Sequence, residues 1–406
     1  MKLLLVLTST FPYDSGEEFL SAEVNHISGF DRALVCPCNL KADSVVTKKL
    51  PNTVACIPLR RVEIGESVYA QLMLQPYVLN EIGLLIQTGR FCFRRIHELL
   101  FFMKHAFEIV HALEQMNEFY TADEVTIYSY WFYDAAAAGA LFANTLRKRG
   151  IKVTQISRAH GFDIHEERAK YSYLPMRKFL LSRVDKLFPC SQNGVNTIVR
   201  QYPEYSDKIH PAFLGTVDHG EKKGSRDHSF HILSCSYMVS VKRLHLIAEA
   251  LQQADFLVCW THIGSGPLEK EIRSLAAKLP DQVQTEFLGQ MDNEAIMNYY
   301  KTNDISAFVN VSSSEGIPVS VMEACSFGIP VIATDVGGTG EAVMDGKNGF
   351  LIPADFSPDE LIIKLRTLKT EPDEEYTRLC DNSRMIWAEK FDATQNYRKF
   401  YEEISQ

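Results

Sequence analysis

Short apolar runs alternate with helical stretches along the whole chain, and no other feature narrows the fold as much. In the first half "KLLLVL", "RALVC", "TVACI", "EVTIYSY", "KVTQIS" and "KLFPC" read as buried strands. In the second half "FHILSCS", "DFLVCW", "VQTEFLG", "ISAFVNV" and "PVIATD" do the same. Stretches such as "AAAAGALFANTLRKRG" and "RLHLIAEALQQ" lie between them with helical spacing. Continuous apolar strands separated by helices imply βα units and parallel sheets covered on both faces. The polar, glycine-containing stretch 218–228 interrupts the pattern and reads as a linker. The expected organisation is an α/β chain of two Rossmann-like parallel-sheet domains facing across a cleft. Residues 1–217 form the first, 229–385 the second, and 386–406 a final helical segment.

The bulk numbers fit this division. A chain of 406 residues exceeds one ordinary core and suits two domains of about 150–200 residues each. A net charge of −9 argues against a nucleic-acid partner. No apolar run approaches the ~18 residues that span a bilayer. The opening "MKLLLVLTSTFPY" reads as a buried first strand rather than a signal peptide. The nine cysteines are scattered, with no C-x-x-C pair, which points to buried thiols in a reducing cytoplasm.

In open parallel sheets, ligands bind outside the carboxyl ends of the strands. The segment "SSSEGIP" sits at such an end, after "ISAFVNV", and a helix is expected from near Val319 with Gly328 as its left-handed cap. A helix start presents unpaired N–H groups and partial positive charge, both suited to phosphate. Gly316 permits close approach and Ser320 offers a hydroxyl. Glu315 and Glu323, on either side, suit hydroxyl groups instead, because an ionised carboxylate only accepts. Hydroxyls at both ends and phosphate between them describe a nucleotide-diphosphate sugar.

Several segments, in order along the chain, carry a family resemblance. "SRAHGFDIH", "SYMVSVKRLHLIAEAL", "IGSGPLEKEI", "FLGQM", "NYYKTNDISAFVNVS" and then "EGIPVSVMEA", "GIPVIATDVGG" and "GKNGFLI" resemble the retaining glycosyltransferases of the GT-B fold, in the large family 4. The likeness covers most of residues 150–355. It implies a nucleotide-diphosphate sugar donor, a saccharide or lipid-linked saccharide acceptor, and no cofactor. By this resemblance Glu323 takes the ribose and Glu315 the donor sugar beside the reacting centre. Gly316, Ile317, Pro318, Val319 and Ser320 hold the diphosphate or the sugar edge through their backbone. Met291 meets the base, Lys242 meets the diphosphate, and His160 orients the donor sugar, with Asp163 capping the turn that carries it. The family's Arg five residues before Lys242 is replaced by Tyr237, and Arg243 is the expected substitute for its charge. Gly264 and Gly266 are assigned to a strand-to-helix turn rather than to the site.

No D-x-D triplet occurs in the chain, so no metal is expected on the diphosphate. No protein nucleophile is evident, and the resemblance implies a front-face displacement with retention. The loop 11–20, "FPYDSGEEFL", is a candidate for the acceptor side. Residues 90–113 read as an amphipathic helix: Ile96, Leu99, Leu100, Met103, Phe107 and Val110 form a core stripe. Phe91, Phe93, Phe101 and Phe102, beside Arg90, Arg94, Arg95 and Lys104, suit a peripheral membrane contact at the inner face of the plasma membrane. The final segment is expected, from the resemblance, to cross back to the first domain. Two other readings compete. One is a different GT-B enzyme, such as a nucleotide-sugar epimerase. The other is a non-enzymatic GT-B subunit that binds a glycan or a protein partner.

Overall fold

A computed structural model describes residues 1–14, 16–59, 65, 68–226 and 229–406. Ser15 of the 11–20 loop, and Asp227 and His228 at the end of the expected linker, lie outside the described residues. The chain forms two compact units, Met1–Leu214 with Thr394–Gln406, and Gly215–Ala393.

The first unit holds a six-stranded sheet: β1 (Lys2–Thr8), β2 (Arg32–Pro37), β3 (Val54–Cys56), β4 (Glu124–Ser129), β5 (Lys152–Ala159) and β6 (Lys186–Pro189). Its order is β3-β2-β1-β4-β5-β6 and every pairing is parallel. Residues Leu3–Thr8 are all buried, as a strand covered on both faces requires. Leu3, Leu5 and Leu7 enter one apolar cluster, and Leu4 and Val6 the other, because successive side chains alternate across the sheet. The alanine-rich helix Asp134–Lys148 packs closely on the first face. A Cβ at Gly139 would stand 3.1 Å from Ile127 and 3.2 Å from Gln155.

The second unit repeats the design with β7 (Phe230–Cys235), β8 (Val258–Ile263), β9 (Val283–Gly289), β10 (Ala307–Asn310), β11 (Val331–Thr334) and β12 (Gly349–Ile352). Its order, β12-β11-β10-β7-β8-β9, is again fully parallel. Each sheet therefore reverses its strand order once, between β1 and β4 and between β7 and β10. Ligands of open α/β sheets bind at such switch points.

Three details depart from the sequence reading. β8 runs on through Thr261 and His262, because their polar groups are satisfied inside the unit; His262 Nδ1 meets Ser234 Oγ at 2.8 Å. β12, "GFLI", was not among the expected strands, and its four residues pair with β11. Residues 218–226, polar enough to read as a free linker, are strapped to the second unit. Lys223 N donates to Phe327 O at 2.7 Å, Gly224 N to Gly328 O at 3.1 Å, and Arg226 reaches the carbonyls of Leu368, Lys369 and Glu371. Polar composition marks a segment that needs hydrogen bonds, and here a neighbouring backbone supplies them.

The helix expected over 90–113 spans Phe93–Glu114. Leu99, Phe102, Met103, Ala106, Ile109 and Leu113 are buried, so Phe102 is a core residue and not part of a surface patch. Phe91, Phe93 and Phe101 remain exposed, Phe93 at 86%. Of the basic residues, Arg90 pairs with Glu166 at 2.8 Å and Arg95 donates to Tyr171 O, which withdraws both from a free cationic surface. No helix among the described residues is long and apolar enough to cross a membrane.

The helix Asp373–Lys390 packs on the second unit against Val319–Ser326. The helical run breaks at Phe391 and Asp392, and the last helix, Ala393–Ile404, joins the first unit. There Phe400, Tyr401 and Ile404 pack with Leu4, Val6 and Tyr128. Arg158 lies 4.3 Å from the Phe400 ring centroid and donates to Tyr128 Oη at 2.9 Å.

Candidate active site

The loops after β7 and β10 meet at the second switch point. After β7 the chain makes a 3₁₀ turn, Ser240–Lys242, and then a left-handed residue, Arg243, with φ 49°. Ser313 N donates to Val241 O at 2.8 Å and ties this turn to the β10 loop. Lys242 Nζ then reaches Glu315 Oε1 at 2.6 Å. The residue expected at the diphosphate and the residue expected at the donor sugar face each other directly. Asn310 Nδ2 stands 3.5 Å from the same oxygen. A small, water-sized hollow lies against Lys242, Ser234–Ser236 and Val309–Ser312.

The Glu315 loop is held from the far side by the glycine turn 337–338. Gly338 N donates to Gly316 O at 2.7 Å. Gly337 has φ 58°, and a Cβ there would overlap the Glu315 carbonyl. Only glycine satisfies both demands. A Cβ on Gly316, by contrast, would meet nothing within 4 Å, so its face is open to a ligand. Gly264 and Gly266 serve packing: a Cβ on either would strike the backbone of Ser236 or Met238.

The helix after the loop spans Val319–Ser326. Its first residue follows buried Pro318, whose ring can cap nothing. Val321 N and Met322 N donate to Pro318 O at 3.1 and 3.2 Å, and the amides of Val319 and Ser320 lack intrahelical partners. Gly328, with φ 71°, closes the helix by donating to Cys325 O at 2.9 Å. Glu323 sits one turn in and is buried. Asn293 Nδ2 donates to its Oε1 at 2.8 Å. Burial lifts the Glu323 carboxyl to about 7, and the Asn293 bond opposes the rise. The neighbouring Cys235 thiol is pushed up to about 12 by burial first and Glu323 second.

Asn293 is a site residue that sequence reasoning missed. It opens the helix Asn293–Thr302, which Asp292 caps through Ala295 N at 2.8 Å. Met291, half-buried, lies in the loop just before it, so the β9 loop reaches Glu323 through Asn293. The only sequence signal was the capping Asp292 itself, which marks a helix start and not its partner.

The expectation for Arg243 requires correction. Its guanidinium donates to Val311 O at 2.8 Å, Ala354 O at 2.6 Å and Ser312 O at 3.3 Å, and packs 5.3 Å from the Phe356 ring centroid. Three backbone carbonyls therefore hold the charge that was expected to face a diphosphate. The Arg243 side chain, like that of Lys242, reaches the β10 loop, but it ends on backbone carbonyls rather than on Glu315. Tyr237, at the position of the missing Arg, is 57% exposed.

His160 belongs to the first unit and follows β5. Asp163 caps its loop, accepting from His160 N at 2.5 Å and Phe132 N at 2.8 Å. The imidazole lies between Tyr130 and Trp131, with centroids at 4.6 and 4.5 Å. Neither ring nitrogen has a hydrogen-bond partner among the described residues. Burial, aided by the Arg158 charge, lowers its pKa to about 3, so the ring is neutral at physiological pH. Asp163 is lifted to about 6 by burial, against the pull of Arg177. Among the described residues no group of three or more His, Cys, Asp or Glu side chains could hold a metal ion.

Known proteins share this fold and part of this sequence. Residues 218–385 match the family model described as Glycosyl transferases group 1, a span within the second unit. The chain is 29% identical over 194 residues to the D-rhamnosyltransferase WbpZ of Pseudomonas aeruginosa, across 45% of this chain and 49% of WbpZ. It is 26% identical over 223 residues to the putative colanic acid biosynthesis glycosyltransferase WcaL of Salmonella typhimurium, across 52% of this chain and 54% of WcaL. The matches thus span about half the length of these curated relatives, 49% and 54%. The crystal structure of Anabaena HepE in complex with UDP is similar with a TM-score of 0.66 and 17% identity, over 100% of each chain. The fold is the GT-B fold of glycosyltransferases, and the second unit carries the group 1 region.

Proposed function

We propose that the chain is a retaining glycosyltransferase of family 4. It moves a hexosyl group from a UDP- or GDP-sugar to a hydroxyl of a saccharide or lipid-linked saccharide, in surface polysaccharide synthesis. The observation that carries this reading is the meeting of Lys242 and Glu315 at the β7/β10 switch point, 2.6 Å apart, beside the open start of the Val319–Ser326 helix. The similarity to WcaL, named for colanic acid biosynthesis, and to the D-rhamnosyltransferase WbpZ supports it.

In the proposed complex the diphosphate lies at the amides of Gly316, Ile317, Val319 and Ser320, Pro318 having none to give, and takes Lys242 as its counter-charge. Glu323 and Asn293 accept and donate at the ribose, Met291 adjoins the base, and Glu315 reads the sugar hydroxyls. His160, neutral, orients the sugar. The C1–O bond to phosphate breaks as the acceptor oxygen bonds to C1 on the same face. The acceptor proton passes to the departing phosphate oxygen. Catalysis rests on positioning and on stabilising the leaving charge, since no side chain is placed as a nucleophile. The absence of D-x-D supports a metal-independent route. The N-terminal unit would take the acceptor, and the exposed Phe91, Phe93 and Phe101 would rest on a membrane at its cytoplasmic face.

One observation favours a second reading, a glycan- or partner-binding subunit without turnover: Tyr237 replaces an arginine, and Arg243 is committed to carbonyls. Nucleotide release over a panel of UDP- and GDP-sugars, with saccharide acceptors and with EDTA, separates the two. Release from one donor, lost in Glu315→Gln and kept in EDTA, supports the transferase. Silence across the panel, with glycan binding retained, establishes the second reading.

A further inference from the structure

Three consecutive amides at the carboxyl end of β1 point at one carboxylate. Ser9 N donates to Glu17 Oε1 at 2.8 Å, while Thr10 N and Phe11 N donate to Oε2 at 2.9 and 2.8 Å. The indole Nε1 of Trp131 donates to Oε1 at 2.7 Å. An ionised carboxylate offers about four lone-pair sites, so these donors use its full capacity. Glu17 holds this place with φ 52°, a conformation that persists in a non-glycine residue only where the surroundings fix it. The donors come from the loops after β1 and β4, so the carboxylate spans the switch point of the first sheet.

Trp131 carries the constraint further. Its ring lies 4.5 Å from His160 and 5.5 Å from Phe162, centroid to centroid. The His160 nitrogens make no hydrogen bond among the described residues, so no polar contact fixes the ring. Asp163 anchors only the backbone of that loop. The direction of the imidazole is left to its aromatic walls, and Glu17 holds one of them in place.

The geometry points to Glu17 as the positioning residue of His160, acting through the Trp131 indole. This inference rests on the transferase reading only where it expects a change in rate. Glu17→Gln keeps the shape but turns an NH₂ group toward N–H donors, so two of the four bonds are lost, those of Ser9 N and Trp131 Nε1 or those of Thr10 N and Phe11 N.

The decisive experiment compares Glu17→Gln, Trp131→Phe, His160→Ala and the double variant Glu17→Gln/His160→Ala, with Glu18→Gln on the same loop as control. Ring spectra of 13C-labelled histidine and 15N spectra of the indole N–H groups report the contact directly. The Trp131 N–H signal is identified by its loss in Trp131→Phe. Glu17→Gln is expected to move both the Trp131 N–H and the His160 ring signals, and Glu18→Gln to move neither. In turnover, kcat should fall about 10-fold or more in Glu17→Gln with donor KM nearly unchanged, since misplacement near the chemistry costs up to ~10²-fold. The double variant should be no slower than His160→Ala alone, because both losses act through one ring. Unmoved His160 signals in Glu17→Gln, or additive rate losses, overturn the proposal. Should Glu17→Gln fail to fold, Trp131→Phe takes its place and must move the His160 ring. A wild type that turns over no donor defeats the transferase reading alone, and the His160 signals still decide this one.

Discussion

The two sheets share strand order, yet their switch points are built differently. In the second unit a lysine and a glutamate from the β7 and β10 loops pair at 2.6 Å beside a helix start whose first two amides, of Val319 and Ser320, have no partner within the helix. Both charges belong to flexible side chains and can be given up to a ligand. In the first unit a glutamate also spans the switch point, but its carboxylate is held by three backbone amides and an indole. That anion-binding nest is already filled by the chain itself. The same topology thus yields one end with an exchangeable ion pair and one whose Ser9, Thr10 and Phe11 amides are already taken by a carboxylate of the chain. The difference lies in where the positive partners come from: an exchangeable ammonium in one unit, fixed backbone dipoles in the other.

The largest effect expected from this contrast is on Lys242. Lys242→Ala removes the movable charge that faces Glu315. Turnover should fall by about 10²–10³, the ~2.7–4 kcal/mol that one preorganised donor supplies in an enzyme site. Nucleotide-release kinetics check this. A loss below about 10-fold would show that the helix-start amides suffice and would break the contrast.

A comparable effect, on stability, is expected at Glu323. Its carboxyl is raised from an ordinary value near 4.5 to about 7 by burial. Between those values the folded protein holds a proton that the unfolded chain releases, so stability falls as pH rises through this window. The size is about 3 kcal/mol at ~1.36 kcal/mol per pH unit. Glu323→Gln should abolish that slope in urea titrations at pH 5–7.5, and raise donor KM. In the first unit Asp163, raised from 3.8 to about 6, has the same sign, whereas His160, lowered from 6.5 to about 3, has the opposite sign. These two largely cancel between pH 4 and 6, and His262, lowered from 6.5 to about 4 by burial, adds a rise with pH, so the share of Glu323 is read as the difference in slope between wild type and Glu323→Gln. An unchanged slope in Glu323→Gln would refute its buried carboxyl as the source.

The smallest effect concerns the first unit's surface. Phe93 is 86% exposed, so Phe93→Ser should alter stability by no more than about 0.5 kcal/mol. It should nonetheless reduce flotation with anionic vesicles. Equal flotation of variant and wild type, or none by either, removes the membrane contact from the first unit.

Much of the fold and of the Glu315 loop is legible in the amino-acid sequence. Eleven expected strands lie at or overlap strands of the two sheets, because a strand buried on both faces leaves an unbroken apolar run. "SEGIPVSVMEA" reads as a loop, a helix start and two carboxylates, since capping, glycine and proline act over a few residues. β12 was missed as a strand, and β8 was cut short at its polar Thr261 and His262, where burial depends on partners elsewhere in the fold. Phe102 and Phe93 illustrate the same limit: nine positions apart on one helix, one is core and the other is bare, although both add to the same aromatic count.

What the sequence determined by itself was local: the alternation of strands and helices, the order of the motifs, and the turn chemistry around Glu315 and Glu323. The tertiary structure decided which distant groups meet. Lys242 finds Glu315 across 73 residues, Asn293 finds Glu323 across 30, and Trp131 finds Glu17 across 114. It also decided that Arg243 turns to the carbonyls of Val311, Ser312 and Ala354. Local propensity fixes where backbone groups need partners, but the direction of a long charged side chain is set by whichever carbonyl or carboxylate the fold brings within about 3 Å.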